Sequence, residues 1–429
     1  MKTDRVVITG LGVVAPNANT VEEFEQALRL GRSGIRFHPK LEELGFSCQI
    51  GGIPEGFGPI RDRYFGKDNH EYTSDNVCYA GVAALDAWAD AGLELPQSSG
   101  EALWDTGAFV GCGIGDMDTI SNRVVPMVNN GKVRRMGTRV IEQVMASGVS
   151  AKIGGLLGLG NQVTSNSSAC NTGTEAIIQA AARIRSGQAK RMVAGGSDGA
   201  SPYTWGGFDS MRVLARKFNG CPEQGSRPMS ASACGFVPGA GAGILILENL
   251  QSAIDRGASI YAEIIGTHLN CGGQRQGGTM TLPNMDGVKR CIKAAMEDAG
   301  IGPSEIDAIN GHLTATMADP YEINNWAEVL GRKGKNFPFI NATKSMIGHC
   351  LGAAGAIETI AAVLQLKKGF LHQSLNCEDL HPELSGYEEK IVRETLELQD
   401  LSVIAKTSFG FGDVNGCLIL KKWDGSSQD

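Results

Sequence analysis

Length, composition and charge set the first limits on this chain. Its 429 residues exceed what one ordinary core covers and predict two domains of about 200 residues each. A net charge of −7 argues against a partner bound mainly through phosphates, such as a nucleic acid. The first residues lead directly into an apolar strand, without the apolar stretch of a signal peptide, and no run reaches the ~18 apolar residues of a membrane span. We therefore expect a cytoplasmic protein with neither a membrane nor a nucleic-acid partner.

Eleven cysteines are spread along the chain, and no two lie within four positions of each other. This spacing excludes the usual zinc-knuckle patterns and disfavours a disulfide framework. We expect free thiols in a reducing compartment and no metal site.

An internal repeat organises the chain. Each copy has a helix closed by glycine, an apolar strand that runs into a Gly-rich turn, and a long alanine-rich helix that follows a cysteine. The matching pairs are 85–93 with 292–301, 107–111 with 306–311, and the helices after Cys170 and Cys350. Alternating strands and helices predict largely parallel sheets covered on both faces. We predict two α/β halves, 1–255 and 256–429, related by a pseudo-twofold axis that brings residues near 170 and 350 together.

Cys170 and two histidines are the candidates for chemistry. A thiol at the start of a helix feels the positive end of the helix dipole, which favours the thiolate; a buried structural cysteine is the alternative. His312 ends an apolar strand and His349 precedes the second alanine-rich helix, positions where α/β folds place ligands. Either histidine, taken alone, would more often be a structural residue. No role is assigned to the remaining histidines, His38, His70, His268, His372 and His381.

Two glycine-rich segments resemble known motifs without completing them. Residues 195–199 fit the G-x-S-x-G pattern, but that elbow must run directly into a helix, and Ser201-Pro202 follows instead. Residues 111–115 lack the full G-x-G-x-x-G spacing, and no Walker A sequence is present. We therefore expect neither a serine nucleophile nor a nucleotide cofactor.

Motifs along nearly the whole chain resemble the β-ketoacyl-acyl-carrier-protein synthases of the Cys-His-His type. They are the opening strand 6–12, Ala169-Cys170 with Thr172-Gly173, the strand 192–196, Ser226-Arg227-Pro228 with 235–237, Lys344-Ser345 with Gly348-His349 and Gly352, and the turn 408–412 with Asn415. The resemblance implies a thiolase-like fold, in which two pseudo-twofold-related halves form a five-layer α-β-α-β-α sandwich. The half 1–255 carries Cys170, and the half 256–429 carries His312 and His349.

The resemblance also implies roles for residues. Cys170 would carry the acyl group, and the ring N–H groups of His312 and His349 would stabilise the enolate formed from a malonyl thioester. The backbone N–H groups of Cys170 and Phe411 would form the oxyanion hole, with Phe411 as a gate. Supporting roles fall to Lys344, Glu322 and Phe409. The implied partner is acyl carrier protein, whose phosphopantetheine arm delivers the substrate without any tightly bound cofactor, and the implied assembly is a homodimer or a heterodimer with a related subunit.

The chain departs from the family pattern at several positions. Leu313 stands where glycine is usual, 230–234 replaces an acidic stretch, Ala240 replaces a glutamate, and Asp413-Val414 replaces Gly-Thr. The lost charges predict a site without an internal ion pair or bound cation, and they favour a specialised pathway such as polyketide or polyene synthesis.

Three other functions fit parts of the sequence less well. A silent chain-length-factor-like subunit would lack the nucleophilic cysteine. A thiolase acting on coenzyme A thioesters would need a second reactive cysteine. Cys417, which residues 418–420 follow, does not match the sequence around that cysteine. A purely structural protein would leave three reactive residues unexplained. The cationic stretch with Arg212, Arg216 and Lys217 is either a carrier-docking surface or a solvated turn.

Overall fold

A computed structural model describes residues 4–67 and 74–425, so His70 lies outside the described residues. The strands are β1 (Val6–Val14), β2 (Ile35–Phe37), β3 (Ile50–Gly52), β4 (Thr106–Gly111), β5 (Val163–Thr164), β6 (Arg191–Asp198), β7 (Gly241–Asn249), β8 (Ala262–Cys271), β9 (Ala308–Asn310), β10 (Phe339–Asn341), β11 (Phe370–Leu371), β12 (Leu396–Glu397), β13 (Val403–Gly410) and β14 (Val414–Lys422).

The helices are α1 (Val21–Leu30), α2 (Pro39–Glu43), α3 (Phe57–Phe65), α4 (Asp75–Asp90), α5 (Met117–Thr119), α6 (Val125–Asn129), α7 (Val140–Val144), α8 (Gly148–Leu157), α9 (Thr172–Arg185), α10 (Pro202–Ser210), α11 (Leu250–Asp255), α12 (Met285–Ala299), α13 (Asp319–Leu330), α14 (Lys344–Ile347) and α15 (Ala354–Lys368). Within the described ranges, no helix combines the length and the apolar composition needed to cross a bilayer.

The duplication is visible in the main sheet. Its order is β10-β9-β13-β14-β8-β1-β7-β6-β4-β5, with β8 and β1 paired where the two five-stranded halves meet. Numbered along the chain within each half, both halves have the order 3-2-4-5-1. The expectation of largely parallel sheets is wrong, because in each half the fourth, fifth and first strands pair antiparallel. Over residues 4–67 and 74–425, each half is a mixed sheet, with parallel pairs only between its second, third and fourth strands.

Side chains that alternate along the strands build the five-layer sandwich. On β7, Leu245 and Leu247 pack into the core that surrounds α9 and α15, whereas Ile244 and Ile246 pack into the core under α4. In the other half, Leu418 faces the central core and Ile419 faces the outer core under α12 and α13. The helices α9 and α15 contact strands of both halves and form the middle layer. The structure has the thiolase-like architecture that the resemblance implied.

The two central helices begin in the same way. A 3₁₀ turn precedes each helix, Ala169–Asn171 before α9 and Leu351–Ala353 before α15, and the first residue of each turn has φ of 50°. This geometry pairs Cys170 with Gly352, so the sequence pairing of Cys170 with Cys350 is wrong by two residues. The helices pack closely where glycine follows. A Cβ on Gly173 would lie 2.8 Å from the backbone N of Ala356.

Candidate active site

Cys170, His312 and His349 meet in one cavity of about 530 Å³ between the two halves. The Cys170 Sγ and ring nitrogens of both histidines all lie within 4.8 Å of one another. The histidine rings are nearly perpendicular, with centroids 5.5 Å apart. Cys170 arrives on the turn before α9, His312 follows β9, and His349 follows α14. Three residues that are distant in sequence thus converge because the pseudo-twofold places both helix starts beside the ends of β9 and β13.

Hydrogen bonds fix the tautomers of both histidines. The Leu351 backbone N–H donates to His349 Nδ1 at 3.2 Å, and Lys344 Nζ lies 3.3 Å from His312 Nδ1. An ammonium group can only donate, so both Nδ1 atoms accept and the proton of each neutral ring sits on Nε2. Burial, and then the charge of Lys344, holds the pKa of His312 and His349 well below the usual value. His349 Nε2 is buried and has no hydrogen-bond partner among the residues that the structure describes. The site therefore presents neutral Nε2–H donors to the cavity.

The environment of the Cys170 thiol is mixed. Burial raises its pKa to about 11, while the charge of Lys344 and the Phe411 backbone N–H lower it. The thiolate that the helix start favours is thus opposed by desolvation, and the resting site holds a thiol that must lose its proton during attack. Because the Phe411 N–H points at Sγ, a carbonyl carbon bonded there would place its oxygen near this donor.

Aromatic rings line the cavity beside these groups. Phe409 packs edge-on against His312 with centroids 5.7 Å apart. Phe236, a member of the family-like motif 235–237, packs edge-on against His349 with ring centroids 5.2 Å apart. The ring centroid of Phe411 lies 6.1 Å from that of Phe208, a residue that the sequence did not single out. The cavity is therefore mostly apolar around a small set of polar groups, as is typical of sites for small molecules.

Glu322 supports the His312 loop and is not paired with Lys344. Its carboxylate accepts hydrogen bonds from the backbone N–H groups of His312 at 2.7 Å and Leu313 at 2.9 Å, and from Thr407 Oγ1 at 2.8 Å. Burial raises the pKa of Glu322, and these N–H groups lower it. Leu313 occupies the usual glycine position with φ of 21°. The hydrogen bonds to Glu322 hold this backbone conformation despite its strain.

The prediction that the site lacks an internal ion pair is wrong. Lys344 Nζ donates to Glu358, whose second oxygen accepts from Lys406 Nζ at 2.7 Å. All three side chains are at most 2% exposed. Sequence reasoning missed Glu358 and Lys406, although Glu358 lies in the apolar first turns of α15 and Lys406 is the lone charge of β13, and such a charge must find a partner.

Asp198 is a further buried carboxylate beside the site. It accepts hydrogen bonds from the backbone N–H groups of Gly113 at 3.2 Å, Ile114 at 3.1 Å and Gly352 at 2.6 Å. Burial raises its pKa to about 6, although these N–H groups favour the charged form. Asp198 ties the end of β6 to the end of β4 and to the start of α15. Ser197, the serine of the G-x-S-x-G pattern at 195–199, is not a nucleophile, because it is fully buried and donates to the Asn76 carbonyl at 2.7 Å. The helix α10 begins closer to this pattern than the sequence suggested.

The carrier-docking candidates lie at the surface. Arg212, Arg216 and Lys217 are exposed, and Arg212 also lines the cavity. Arg212 has φ of 58°, so its backbone turns sharply at the cavity mouth. On the opposite rim, Met317 is 84% exposed and Tyr321 is 42% exposed. The mouth thus has a cationic side from the first half and an apolar side from the second half.

Comparisons with known proteins agree with this architecture. Residues 3–253 match the family described as "Beta-ketoacyl synthase, N-terminal domain", and residues 261–378 match "Beta-ketoacyl synthase, C-terminal domain". The chain is 37% identical to 3-oxoacyl-[acyl-carrier-protein] synthase I, chloroplastic, of Arabidopsis thaliana, over 96% of this chain and 85% of that protein. It is 36% identical to 3-oxoacyl-[acyl-carrier-protein] synthase 1 of Escherichia coli K12, over 97% and 99% of the two chains.

A solved structure extends the similarity to the whole fold. It is a type II PKS acyl-carrier protein in complex with its ketosynthase bound to the hexaketide. The TM-score is 0.86 at 26% identity, and the match covers 98% of this chain and 100% of that one. Together with the cysteine and two histidines in one cavity, these matches show that the chain belongs to the β-ketoacyl synthase family of condensing acyltransferases.

Proposed function

We propose that this chain catalyses decarboxylative condensation between an acyl group on Cys170 and a malonyl group on acyl carrier protein. The observation that carries the proposal is the convergence of the Cys170 thiol with two neutral histidines inside one apolar cavity. A nucleophile alone would suit hydrolysis or transfer. A pair of N–H donors beside it suits a reaction that passes through an enolate.

The first half-reaction transfers the acyl group. Cys170 Sγ attacks the thioester carbonyl, and the new C–S bond gives a tetrahedral oxyanion that the backbone N–H groups of Phe411 and Cys170 stabilise. Collapse breaks the bond to the phosphopantetheine sulfur of the carrier. That sulfur takes up the proton that the Cys170 thiol has lost, and the acyl-enzyme remains.

The second half-reaction forms the carbon–carbon bond. The malonyl C–C bond breaks, carbon dioxide leaves, and the electron pair forms an enolate whose oxygen accepts from the Nε2–H groups of His312 and His349. The enolate carbon attacks the acyl carbonyl and expels Cys170 as a thiolate, which regains one proton from solvent. The product is a β-ketoacyl thioester, two carbons longer, on the carrier.

The surroundings of Phe411 suit a residue that moves between steps. Its ring packs edge-on against Phe208 with centroids 6.1 Å apart, and Gly412, with φ of 95°, follows it. Glycine beside the ring allows the backbone to swing. We propose that Phe411 admits the malonyl group only after Cys170 has been acylated.

The substrates arrive on the carrier's phosphopantetheine arm. The hydroxyls of Thr314 and Thr316 lie 3.0 Å apart in the cavity lining, where they can bond the amides of such an arm. The exposed Arg212, Arg216 and Lys217 provide a cationic surface beside the mouth for an acidic carrier. No tightly bound cofactor is needed for this chemistry.

A homodimer is the proposed assembly, and a heterodimer with a related subunit is the alternative. The support is an exposed apolar surface in the segment between β4 and β5, where β5 is the sheet edge. Its exposed members are Val125, Val128, Val133, Ile141 and Met145. Such a patch marks an interface in a protein of this size. Sedimentation velocity of the purified chain alone distinguishes a self-dimer from a monomer that awaits another subunit.

The proposed function is tested by locating the acyl group. After incubation with acyl-carrier-protein thioesters of several chain lengths, intact-mass measurement should show one added acyl group, and peptide mapping should place it on Cys170. The Cys170→Ser variant should remain unlabelled and lose condensation by at least ~10³-fold, since a serine hydroxyl is a far weaker nucleophile. The buried Cys350→Ser change is the matched control. Label on another cysteine would contradict the proposal.

A further inference from the structure

Lys406 is a buried cation that the chemistry described so far does not use. It lies on β13, between β9 and β14, with no exposed surface. Its ammonium donates to Glu358 Oε2 at 2.7 Å, the Thr407 carbonyl at 2.5 Å and Ser408 Oγ at 2.6 Å. These are three acceptors for its three protons. Burying a charge in the centre of a sheet is costly, so a full set of partners here points to a specific role.

One branch of contacts connects Lys406 with His312. Glu358 is held between two ammonium groups, with one oxygen bonded to Lys406 and the other to Lys344. Lys344 then donates to the His312 carbonyl at 2.7 Å and lies 3.3 Å from His312 Nδ1. With both oxygens occupied, Glu358 cannot rotate without losing a charged hydrogen bond. The position of Lys344 against His312 thus depends on the second cation.

A second branch reaches the nucleophile helix. Ser408 Oγ, which accepts from Lys406, lies 2.8 Å from Thr174 Oγ1. Thr174 is in the first turn of α9, four residues after Cys170. Lys406 is therefore the shared member of two chains of contacts, one ending at His312 and the other ending beside Cys170.

The charge of Lys406 also acts on the histidines. Burial and Lys344 lower the pKa of both His312 and His349, and Lys406 lowers it further. The titratable groups around the two rings come from several elements: Lys344 of α14, Lys406 of β13, Glu322 and Asp319 of α13, Glu358 of α15, Asp198 of β6 and Cys170. Without Lys406, Glu358 would be balanced by Lys344 alone. Protonation of either ring would occur at Nδ1 and would break the bond that orients it.

We propose that Lys406 is a positioning residue for condensation, which fixes Glu358 and Ser408 so that His312 keeps its Nε2–H group turned into the cavity beside the start of α9. This inference rests on the proposed function, since it concerns the decarboxylation step of that reaction. It assigns Lys406 no contact with substrate.

The test uses two variants of the full-length protein. Lys406→Met keeps the length of the side chain and removes the charge; acylation of Cys170 should persist, while kcat for malonyl decarboxylation falls about 10–100-fold through misplaced donors. The acid limb of its pH profile should move to higher pH by about one pH unit, because a nearby positive charge has been lost. Lys406→Ala leaves a space lined by oxygen acceptors, and ammonium chloride should restore decarboxylation more than sodium chloride at equal ionic strength.

Lys421→Ala is the matched control, since Lys421 is exposed at the far end of the neighbouring strand β14. An unchanged kcat and pH profile in Lys406→Met would overturn the inference. The inference would also be overturned if both Lys406 variants unfold and ammonium does not rescue them, because Lys406 would then serve the fold alone. Wild-type protein without decarboxylation would instead contradict the proposed function, which separates the two failures.

Discussion

The turns that precede the two central helices share one backbone geometry, but they carry different residues and face different groups. The turn before α9 carries Cys170, and the Phe411 N–H from the end of the other half's sheet points at its sulfur. The turn before α15 carries Gly352 at the matching position, and the end of the first half's sheet supplies the Asp198 carboxylate, which accepts the Gly352 N–H at 2.6 Å. A Cβ on Gly352 would lie 2.6 Å from that same oxygen. One half therefore leaves its turn open for substrate, and the other fills the equivalent space with its own carboxylate.

This difference shows how a duplicated scaffold becomes an asymmetric site. In the proposed reaction, the first half contributes the nucleophile, and the second half contributes His312, His349 and Lys344. With the second turn closed by Asp198, that half cannot form a rival nucleophilic site, and its polar groups serve the first. The following predictions test this division, beginning with the largest expected effect.

His349→Ala should separate the two half-reactions. Because we propose that His349 donates its Nε2–H to the enolate, its loss should reduce malonyl decarboxylation about 10²–10³-fold. Acyl transfer to Cys170 should persist, since the oxyanion hole uses backbone N–H groups. Decarboxylation is followed by carbon dioxide release and acylation by intact mass. Equal losses in both steps would show that the second half also activates the thiol.

The sequence predicted the parts of this arrangement that local patterns carry. Cys170, His312 and His349 were found from their places at strand ends and helix starts, and the repeat predicted the pseudo-twofold. The division at residues 255 and 256 stays a prediction. Strand direction was not predictable from alternation, because whether β7 returns antiparallel to β6 is decided by the connection between them.

The buried charges were harder to predict for a different reason. The ion cluster joins Lys344, Glu358 and Lys406, which are separated in sequence by 14 and 48 positions. No local pattern reports such a pairing. The absence of charges at the usual family positions suggested that the cluster was missing, whereas Lys406 supplies a charge from another strand. Asp198 was not predicted, because it lies within the G-x-S-x-G pattern at 195–199, which points to its serine and not to its carboxylate.

Asp198→Ala tests the filled turn. The change leaves three backbone N–H groups without their acceptor, and we expect it to reduce the free energy of unfolding by about 3 kcal/mol at neutral pH. Condensation should also fall, because the Gly352 turn lies beside His349. Urea denaturation measures the first effect and carrier-dependent turnover the second. Substitution of the exposed Asp255 by alanine is the control.

The titration of Asp198 makes its contribution to the free energy of unfolding depend on pH, with a definite sign. Burial raises the pKa of Asp198 to about 6 in the folded state, above the unfolded value near 3.9. The folded protein therefore takes up this proton first as pH falls from above 6 towards 4, and this group stabilises the fold progressively across that window. Asp198→Asn should lack this contribution. Parallel stability curves for wild type and Asp198→Asn between pH 4 and pH 7 would contradict the raised pKa.

The smallest expected effect concerns the cavity mouth, where the two halves also differ. Arg212 lines the cavity from the first half and is exposed, as is nearby Arg216, whereas the second half presents the exposed lining residues Met317 and Tyr321. Reversal of both arginines to glutamate should weaken carrier-dependent turnover several-fold at low salt and much less at high salt, because attraction between exposed charges acts on the encounter rate and is screened. Acylation by a small carrier-free thioester should be spared. Lys421→Glu, on the exposed far end of β14, is the matched control. Equal losses with both thioesters would mean that these arginines support the fold of the mouth, and no loss with either would place carrier docking on another surface.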